Sequence, residues 1–100
     1  MKSSEFAPLG RDRAELLALQ ALGWIAGQDD LSGTFLTATG AGADDLRTRA
    51  GDPEFLGFVL DFLLGDEQAL LAFCDEAQLK PDQPMRARAA LPGGDLPNWT

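Results

Sequence analysis

The chain has 100 residues, 45% hydrophobic and 24% charged, and its 16 acidic and 8 basic side chains give a net charge of −8. This length suits one globular domain, and the acidic balance disfavours binding to the phosphate backbone of nucleic acids. Because the chain has no histidine and a single cysteine, it lacks the residues for Ser-His-Asp or Cys-His catalysis and for the usual zinc sites. We therefore expect no enzymatic activity, no bound metal and no cofactor.

The single cysteine and the distribution of apolar residues indicate the cellular compartment in which the protein works. A single cysteine cannot form an intramolecular disulfide, so folding does not require an oxidising environment. Residues 1–8 contain no apolar core of a secretory signal, and no apolar run approaches the ~18 residues that span a bilayer. We expect a soluble cytoplasmic protein that does not bind membranes.

The balance of residue types favours helices throughout. Leucine and alanine account for 32 residues, whereas valine and isoleucine contribute only one each. Leucine and alanine are good helix formers, and strands favour β-branched residues. The sequence thus predicts an all-α domain.

The first two predicted helices are separated by a glycine. The spacing of Asp12 and Glu15 is that of a capping box, which predicts a first helix from about Asp12 to Gly27. A second helix is expected to begin at the doublet Asp29-Asp30 and to end at Thr39, because Gly40 suits the left-handed position after a helix.

Local signals also mark the two helices that follow. A short third helix is predicted over residues 44–50, before Gly51. The fourth has the clearest start, with Asp52 as N-cap and Pro53 at the first helical position, where its missing N–H is not needed. Gly65 is expected to end it.

The last two helices complete the predicted domain. A fifth helix is capped by Asp66 and reaches about Gln78, and a sixth follows residues 80–84 and ends near Leu91. We expect residues 11–91 to form the helical domain. We also expect residues 1–10 to form a flexible N-terminal tail, and residues 92–100 to form a C-terminal tail that either docks on the bundle or inserts into a partner.

Two of these helices are apolar on nearly every side. In the fourth, only Glu54, Gly57 and Asp61 trace a polar strip, and the first leaves mainly Gln20 and Gly23 for water. Helices of this kind are normally buried among others. The prediction is a compact bundle of five to six helices around a central apolar helix, residues 53–64, in which Phe55, Phe58 and Phe62 lie on one buried face.

With these elements in place, the chain resembles a family of short, all-helical bacterial proteins catalogued as a domain of unknown function. The resemblance covers roughly residues 14–91, and it rests on the segments 18–22, 35–40, 45–47 and 55–63 and on Asp66-Glu67 followed by Leu70, Leu71 and Phe73. These are packing and capping patterns, so the resemblance implies a small helical bacterial protein and no particular chemistry.

The charged residues raise the possibility of a ligand site. Four acidic doublets could bind a divalent cation, yet three of them suit helix N-termini, where carboxylates cap the backbone; the doublets are Asp29-Asp30, Asp44-Asp45, Asp66-Glu67 and Asp75-Glu76. Three Arg-x-Arg pairs could grip an anion, but their members diverge on a helix and suit surface ion pairs better; the pairs are Arg11/Arg13, Arg47/Arg49 and Arg86/Arg88.

Asp61 and Cys74 are single residues that could also have a chemical role. Asp61 is the only charge inside the apolar fourth helix, and we expect it to reach water or a neighbouring arginine rather than to act in catalysis. Cys74 is expected to be a small buried hydrophobe whose pKa is raised by Asp75 and Glu76.

The surplus of apolar residues is the most informative feature for function. A domain of this size has a high surface-to-volume ratio, so two all-apolar helices are hard to cover. We expect a non-enzymatic interaction module that uses an apolar patch or groove to bind a protein partner or a second copy of itself. Trp24 and Trp99 are the expected anchors, with Leu17 and Ile25 beside them. The alternative is a small-ligand or metal-binding protein that uses the acidic doublets or the arginine pairs.

Overall fold

The computed structural model describes residues 9–40 and 42–92, and all regular secondary structure within these ranges is helical. The helices are α1 (Arg11–Ala26), α2 (Asp29–Thr39), α3 (Ala43–Arg49), α4 (Pro53–Leu64), α5 (Glu67–Ala77) and α6 (Gln83–Ala89). This confirms the predicted all-α class. The expected features of residues 1–8 and 93–100 lie outside the described residues.

Several helix ends form as the local sequence predicts. Asp52 caps α4 by accepting a hydrogen bond from the backbone N–H of Glu54 at 3.0 Å, and Asp66 caps α5 by accepting one from Ala69 at 3.2 Å. Gly40 follows α2 with a φ of 71°, the left-handed conformation that a residue without a Cβ adopts most readily. These ends depend on neighbouring residues alone, which is why the sequence predicts them.

The start of α1 differs from the prediction. The helix begins at Arg11, and its N-cap, Gly10, provides no side-chain hydrogen bond. The expected capping box is therefore wrong, and Glu15 instead accepts a hydrogen bond from Arg11 at 3.1 Å. The residue before this N-cap makes a contact distant in sequence, since the backbone N–H of Leu9 donates to the carbonyl of Arg86 at 3.2 Å. Leu9, which was expected in the N-terminal tail, is thus hydrogen-bonded to α6.

The core lies where α1, α4 and α6 meet. α4 packs against α1, α5 and α6, and α1 also packs against α2 and α6. The largest fully buried side chains come from α1, α2, α4, α5, the start of α6 and the segment after α6: Ile25, Phe35, Val59, Leu60, Leu63, Phe73, Pro84 and Leu91. The expected central position of α4 agrees with these contacts.

Aromatic rings join α2 to one side of α4. The ring of Phe35 is buried, and its centroid lies 6.0 Å from Phe55, 6.0 Å from Phe58 and 5.0 Å from Phe62. Phe55 is buried, but 36% of Phe58 is exposed and Phe62 is half-buried. The prediction that all three phenylalanines of α4 lie on a buried face is therefore correct only for Phe55, because the single ring of Phe35 contacts Phe58 and Phe62 without covering them fully.

The expected burial of α1 on nearly every side is wrong. Leu16 is 60% exposed and Leu19 is 40% exposed, on the side of α1 that faces away from its buried residues. Those buried residues, Ala14, Leu17, Ala18, Ala21, Leu22 and Ile25, pack toward the core. The neighbouring helices therefore cover one side of α1 and leave the other open.

An arginine of α6 lies directly over a glycine of α4. The Arg88 guanidinium donates two hydrogen bonds to the Asp61 carboxylate, at 2.7 Å and 3.1 Å, and a third to the carbonyl of Pro92 at 3.0 Å. A Cβ built on Gly57 would lie only 2.8 Å from Nη1 of Arg88. Asp61 thus reaches both solvent and an arginine, as its position on the polar strip of α4 predicts, and Gly57 is buried because Arg88 covers it.

We expect alanine at Gly57 to be less favourable than alanine at Gly33, an α2 glycine with nothing within 4 Å of its built Cβ. Gly33→Ala should raise the free energy of unfolding by about 0.5–1 kcal/mol through helix propensity. The free energy of unfolding of Gly57→Ala should be about 1–2 kcal/mol lower than that of Gly33→Ala, because the new methyl displaces the hydrogen-bonded guanidinium. Urea denaturation of both variants measures this difference.

The same measurement in an Arg88→Ala background provides the control. Without the guanidinium, the two glycine substitutions should have the same effect within about 0.5 kcal/mol. Equal effects in the wild-type background would contradict the account.

Candidate interaction surface

The exposed side of α1 carries a continuous apolar stripe. It consists of Leu16, Leu19, Gly23 and Ala26, all of them exposed, and we call it the α1 outer face. Their spacing of three, four and three residues keeps them on one side of a helix. At 1.5 Å per residue the stripe is about 15 Å long. Its N-terminal half is formed by leucines, whereas its C-terminal half has small residues.

The small-residue half of the stripe borders a cleft of about 420 Å³ between α1 and α3. The α1 residues that line it are Leu19, Leu22, Gly23 and Ala26, and the α3 side is formed by Leu46, Arg47 and Ala50. The Cβ position of Gly23 has no neighbouring atom within 4 Å. A side chain from outside the molecule could therefore approach the backbone of α1 closely at this point.

Opposite charges lie near the two ends of the α1 outer face. Asp12 is one turn before Leu16, on the same side of the helix. Arg47 of α3 lies at the other end, in the cleft beside Gly23 and Ala26. Both side chains are exposed, and neither forms an ion pair within residues 9–40 and 42–92. The surface thus has an acidic end and a basic end.

The structure corrects the expected exposure of two residues and places a third only partly at the surface. Leu17 is 5% exposed and Ile25 is 1% exposed, so both belong to the core. Trp24 is half-buried, with its ring centroid 5.8 Å from Phe73, and its indole Nε1 is buried with no hydrogen-bond partner among the described residues. Trp99 lies outside the described residues.

Sequence reasoning missed the exposed leucines although a signal was present. Leu16, Leu19, Gly23 and Ala26 follow one another at helical spacing. This stripe is as easy to see in the sequence as the buried stripe on the opposite side of the helix. When a helix is apolar all round, periodicity cannot show which side faces the core. The packing of α2, α4 and α6 makes that choice.

The acidic doublets occupy separate helix ends. Asp29 and Asp30 lie in the first turn of α2, and the Asp45 carboxylate accepts a hydrogen bond from the backbone N–H of Gly42 at 3.3 Å before α3. With Asp66 at the start of α5, three of the four doublets are at helix N-termini, as expected. Within the part of the chain that the structure describes, no three His, Cys, Asp or Glu side chains are grouped to hold a metal ion.

The arginine pairs diverge, as their spacing predicts. Arg86 lies 3.8 Å from Asp82, whereas Arg88 pairs with Asp61 on α4. The guanidinium carbon of Arg49 lies 5.7 Å from the centre of the Phe55 ring, a contact that Arg47 does not share. The two members of a pair therefore do not bind a common partner among the described residues.

Cys74 is a buried thiol, 3% exposed, and its Sγ lies 3.9 Å from the carbonyl oxygen of Lys80. Burial raises the pKa of the Cys74 thiol above its ordinary value of 9.0, and the negative charge of Asp82 raises it further. The expected direction is confirmed, but the charged neighbour is Asp82, from the segment before α6, and not Asp75 or Glu76.

Comparison with known proteins bears on the family. The model of a family described as a protein of unknown function (DUF3572) matches residues 11–94. The chain belongs to this DUF3572 family. The match spans all six helices and so confirms the resemblance to a domain of unknown function. Searches of curated proteins and of solved structures gave no match.

Membrane insertion is tested by helix length and hydropathy. Among the helices of residues 9–40 and 42–92, none combines the length and the apolar character that crossing a membrane requires.

We predict that Cys74 reacts slowly in the folded protein. At pH 8 the native thiol should react with an aromatic disulfide reagent at least about tenfold more slowly than the same thiol in urea, because it is buried and mostly protonated. Above pH 9 stability should fall, since the unfolded thiol ionises at a lower pH than the folded one.

The Cys74→Ala variant provides the control, because it should lack this component of the alkaline stability loss. Equal reaction rates in the native and unfolded protein would contradict the assignment of Cys74 to the core.

Proposed function

We propose that the protein is a non-enzymatic helical interaction module that works in the cytoplasm and binds a protein partner through the α1 outer face. The observation that carries the proposal is the exposure of Leu16 and Leu19 on a helix beside an apolar cleft. The partner's side chains would cover the leucines and enter the space above Gly23.

Burial of this surface supplies a driving force for association. A leucine side chain gains about 1.5–3 kcal/mol when it passes from water to a fully buried site. Leu16 and Leu19 are more than one-third exposed in the isolated chain. Much of that burial free energy is therefore still available to be gained when a partner covers them. Asp12 and Arg47, at the two ends, favour a partner that presents the opposite charges in the matching order.

The alternative of a small-ligand or metal-binding protein receives less support from the geometry. The first three acidic doublets serve different helices, and Arg86 and Arg88 pair with carboxylates on different elements. Asp29, Asp30 and Asp66 do line one cleft, but within the described residues no three His, Cys, Asp or Glu side chains are grouped to hold a metal ion.

The test is photo-crosslinking in cells of the native organism, with benzoylphenylalanine in place of Leu16. The matched control is the same substitution at Leu71 on α5, a leucine that is 46% exposed and far along the chain from α1. We expect a discrete crosslinked protein product from position 16 and little from position 71, because only the first lies on the α1 outer face.

Circular dichroism of both purified variants checks that they are folded. Equal yields of adducts from the two positions, or none from position 16, would contradict the proposed function.

A further inference from the structure

We infer that the partner is a second copy of this chain, with the two α1 helices packed antiparallel through their outer faces. This inference rests on the proposed function, and it names the partner for the same surface. Two features carry it: the distribution of large and small residues along the α1 outer face and the charges at its ends.

The outer face is complementary to itself in shape when the second helix runs in the opposite direction. With the two-fold axis at the height of Ala21, Leu16 of one copy faces Ala26 of the second copy, and Leu19 faces Gly23. Every contact then joins a large side chain to a small one. The open space above Gly23 receives a leucine of the second copy. Because Gly23 has no Cβ, the two helices can approach closely.

Parallel packing would lose this fit. Leu16 would then meet Leu16 and Gly23 would meet Gly23, so the helices would be forced apart at one end and leave a gap at the other. Interfaces require packing as dense as that of protein interiors. The arrangement of residues thus selects the antiparallel direction.

The charges favour the same direction. Arg47 lies beside Gly23 and Ala26, so antiparallel packing brings it to the N-terminal half of the second copy's α1. That half carries Asp12, which forms no ion pair in its own chain among the described residues. A two-fold axis perpendicular to both helices creates this Arg47–Asp12 contact twice. Parallel packing would instead place two Arg47 side chains together, at a cost.

The contact is small, which sets the expected strength. One helix pair with about 15 Å of matched stripe is at the low end of interface sizes, where complexes are weak and reversible. We therefore expect a monomer–dimer equilibrium in the micromolar range.

Sedimentation equilibrium of the full chain, from low micromolar to near-millimolar concentration at about 0.15 M salt, tests the inference. The mass should rise from 10.7 kDa toward twice that value. Gly23→Leu should weaken the dimer at least about tenfold, because the new side chain fills the space for the opposing leucine. The matched control, Gly33→Leu, makes the same change at a second open helical glycine and should leave the dimer intact.

Crosslinking tests the direction of the helices in a Cys74→Ala background. Leu16→Cys mixed with a tagged Ala26→Cys chain should give a heterodimer with a short bis-maleimide. Leu16→Cys alone should give little product, because antiparallel packing separates the two positions by about 15 Å along the axis. Charge reversal adds an independent measurement: Arg47→Glu should weaken the dimer, and Asp12→Arg in the same chain should restore it.

The outcomes that overturn the inference are distinct. A full chain that stays monomeric at every concentration rules out the second copy, and so does a dimer that Gly23→Leu leaves unchanged. If the full chain is monomeric and the Leu96→Ser, Trp99→Ser variant dimerises, the chain's own C-terminal residues occupy the surface. If the chain is monomeric and position 16 still crosslinks to a different protein, the proposed function stands and only the second copy is wrong.

Discussion

The structure depends on the fact that a short chain has too little helix to surround its two most apolar helices. α4 is covered by α1, α5 and α6. One side of α1 lies in that core, and among the described residues no helix covers Leu16 and Leu19 on the other side. The ratio of surface to volume in a domain of 100 residues makes this difficult to avoid. The exposed stripe on α1 is therefore the feature that a functional account of this chain must explain.

The pairing of α4 with α6 depends on a different constraint, in which a missing side chain makes room for a charged one. Gly57 lets the Arg88 guanidinium lie against the backbone of α4, where it pairs with Asp61. The same guanidinium holds the carbonyl of Pro92, so one side chain links α4, α6 and the segment after α6. Asp61 thus has a structural partner, which accounts for a charge within an otherwise apolar helix.

The sequence predicts much of the secondary structure because helix ends are local. Asp52, Asp66 and Gly40 act through atoms a few residues away, and their effects follow from residue type and position. The start of α1 lacks the predicted capping box, and Leu9 just before it is bonded to Arg86, a contact that joins the two ends of the domain. No local pattern contains that information.

The sequence predicts an exposed apolar surface but not which residues form it. The excess of apolar residues indicates an exposed patch, yet Leu17 and Ile25 lie in the core while Leu16 and Leu19 lie outside it. These leucines are neighbours on one helix and are identical in type, so only tertiary packing separates their roles. Phe58 shows the same limit on α4, where it is 36% exposed although its neighbour Phe55 is of the same type and is buried.

The most direct test of the central claim, that the α1 outer face is where this protein makes contact, is an NMR dilution series. Leucine and methionine methyl signals would be recorded from the full chain across a wide range of concentrations. The methyl groups of Leu16, Leu19 and Leu46 should shift with concentration, while those of Leu71 and Met85, exposed on α5 and α6, should not. Shifts centred on Leu71 or Met85 would contradict the α1 outer face as the contact surface, and no shift at any methyl group would contradict a second copy of the chain as its partner.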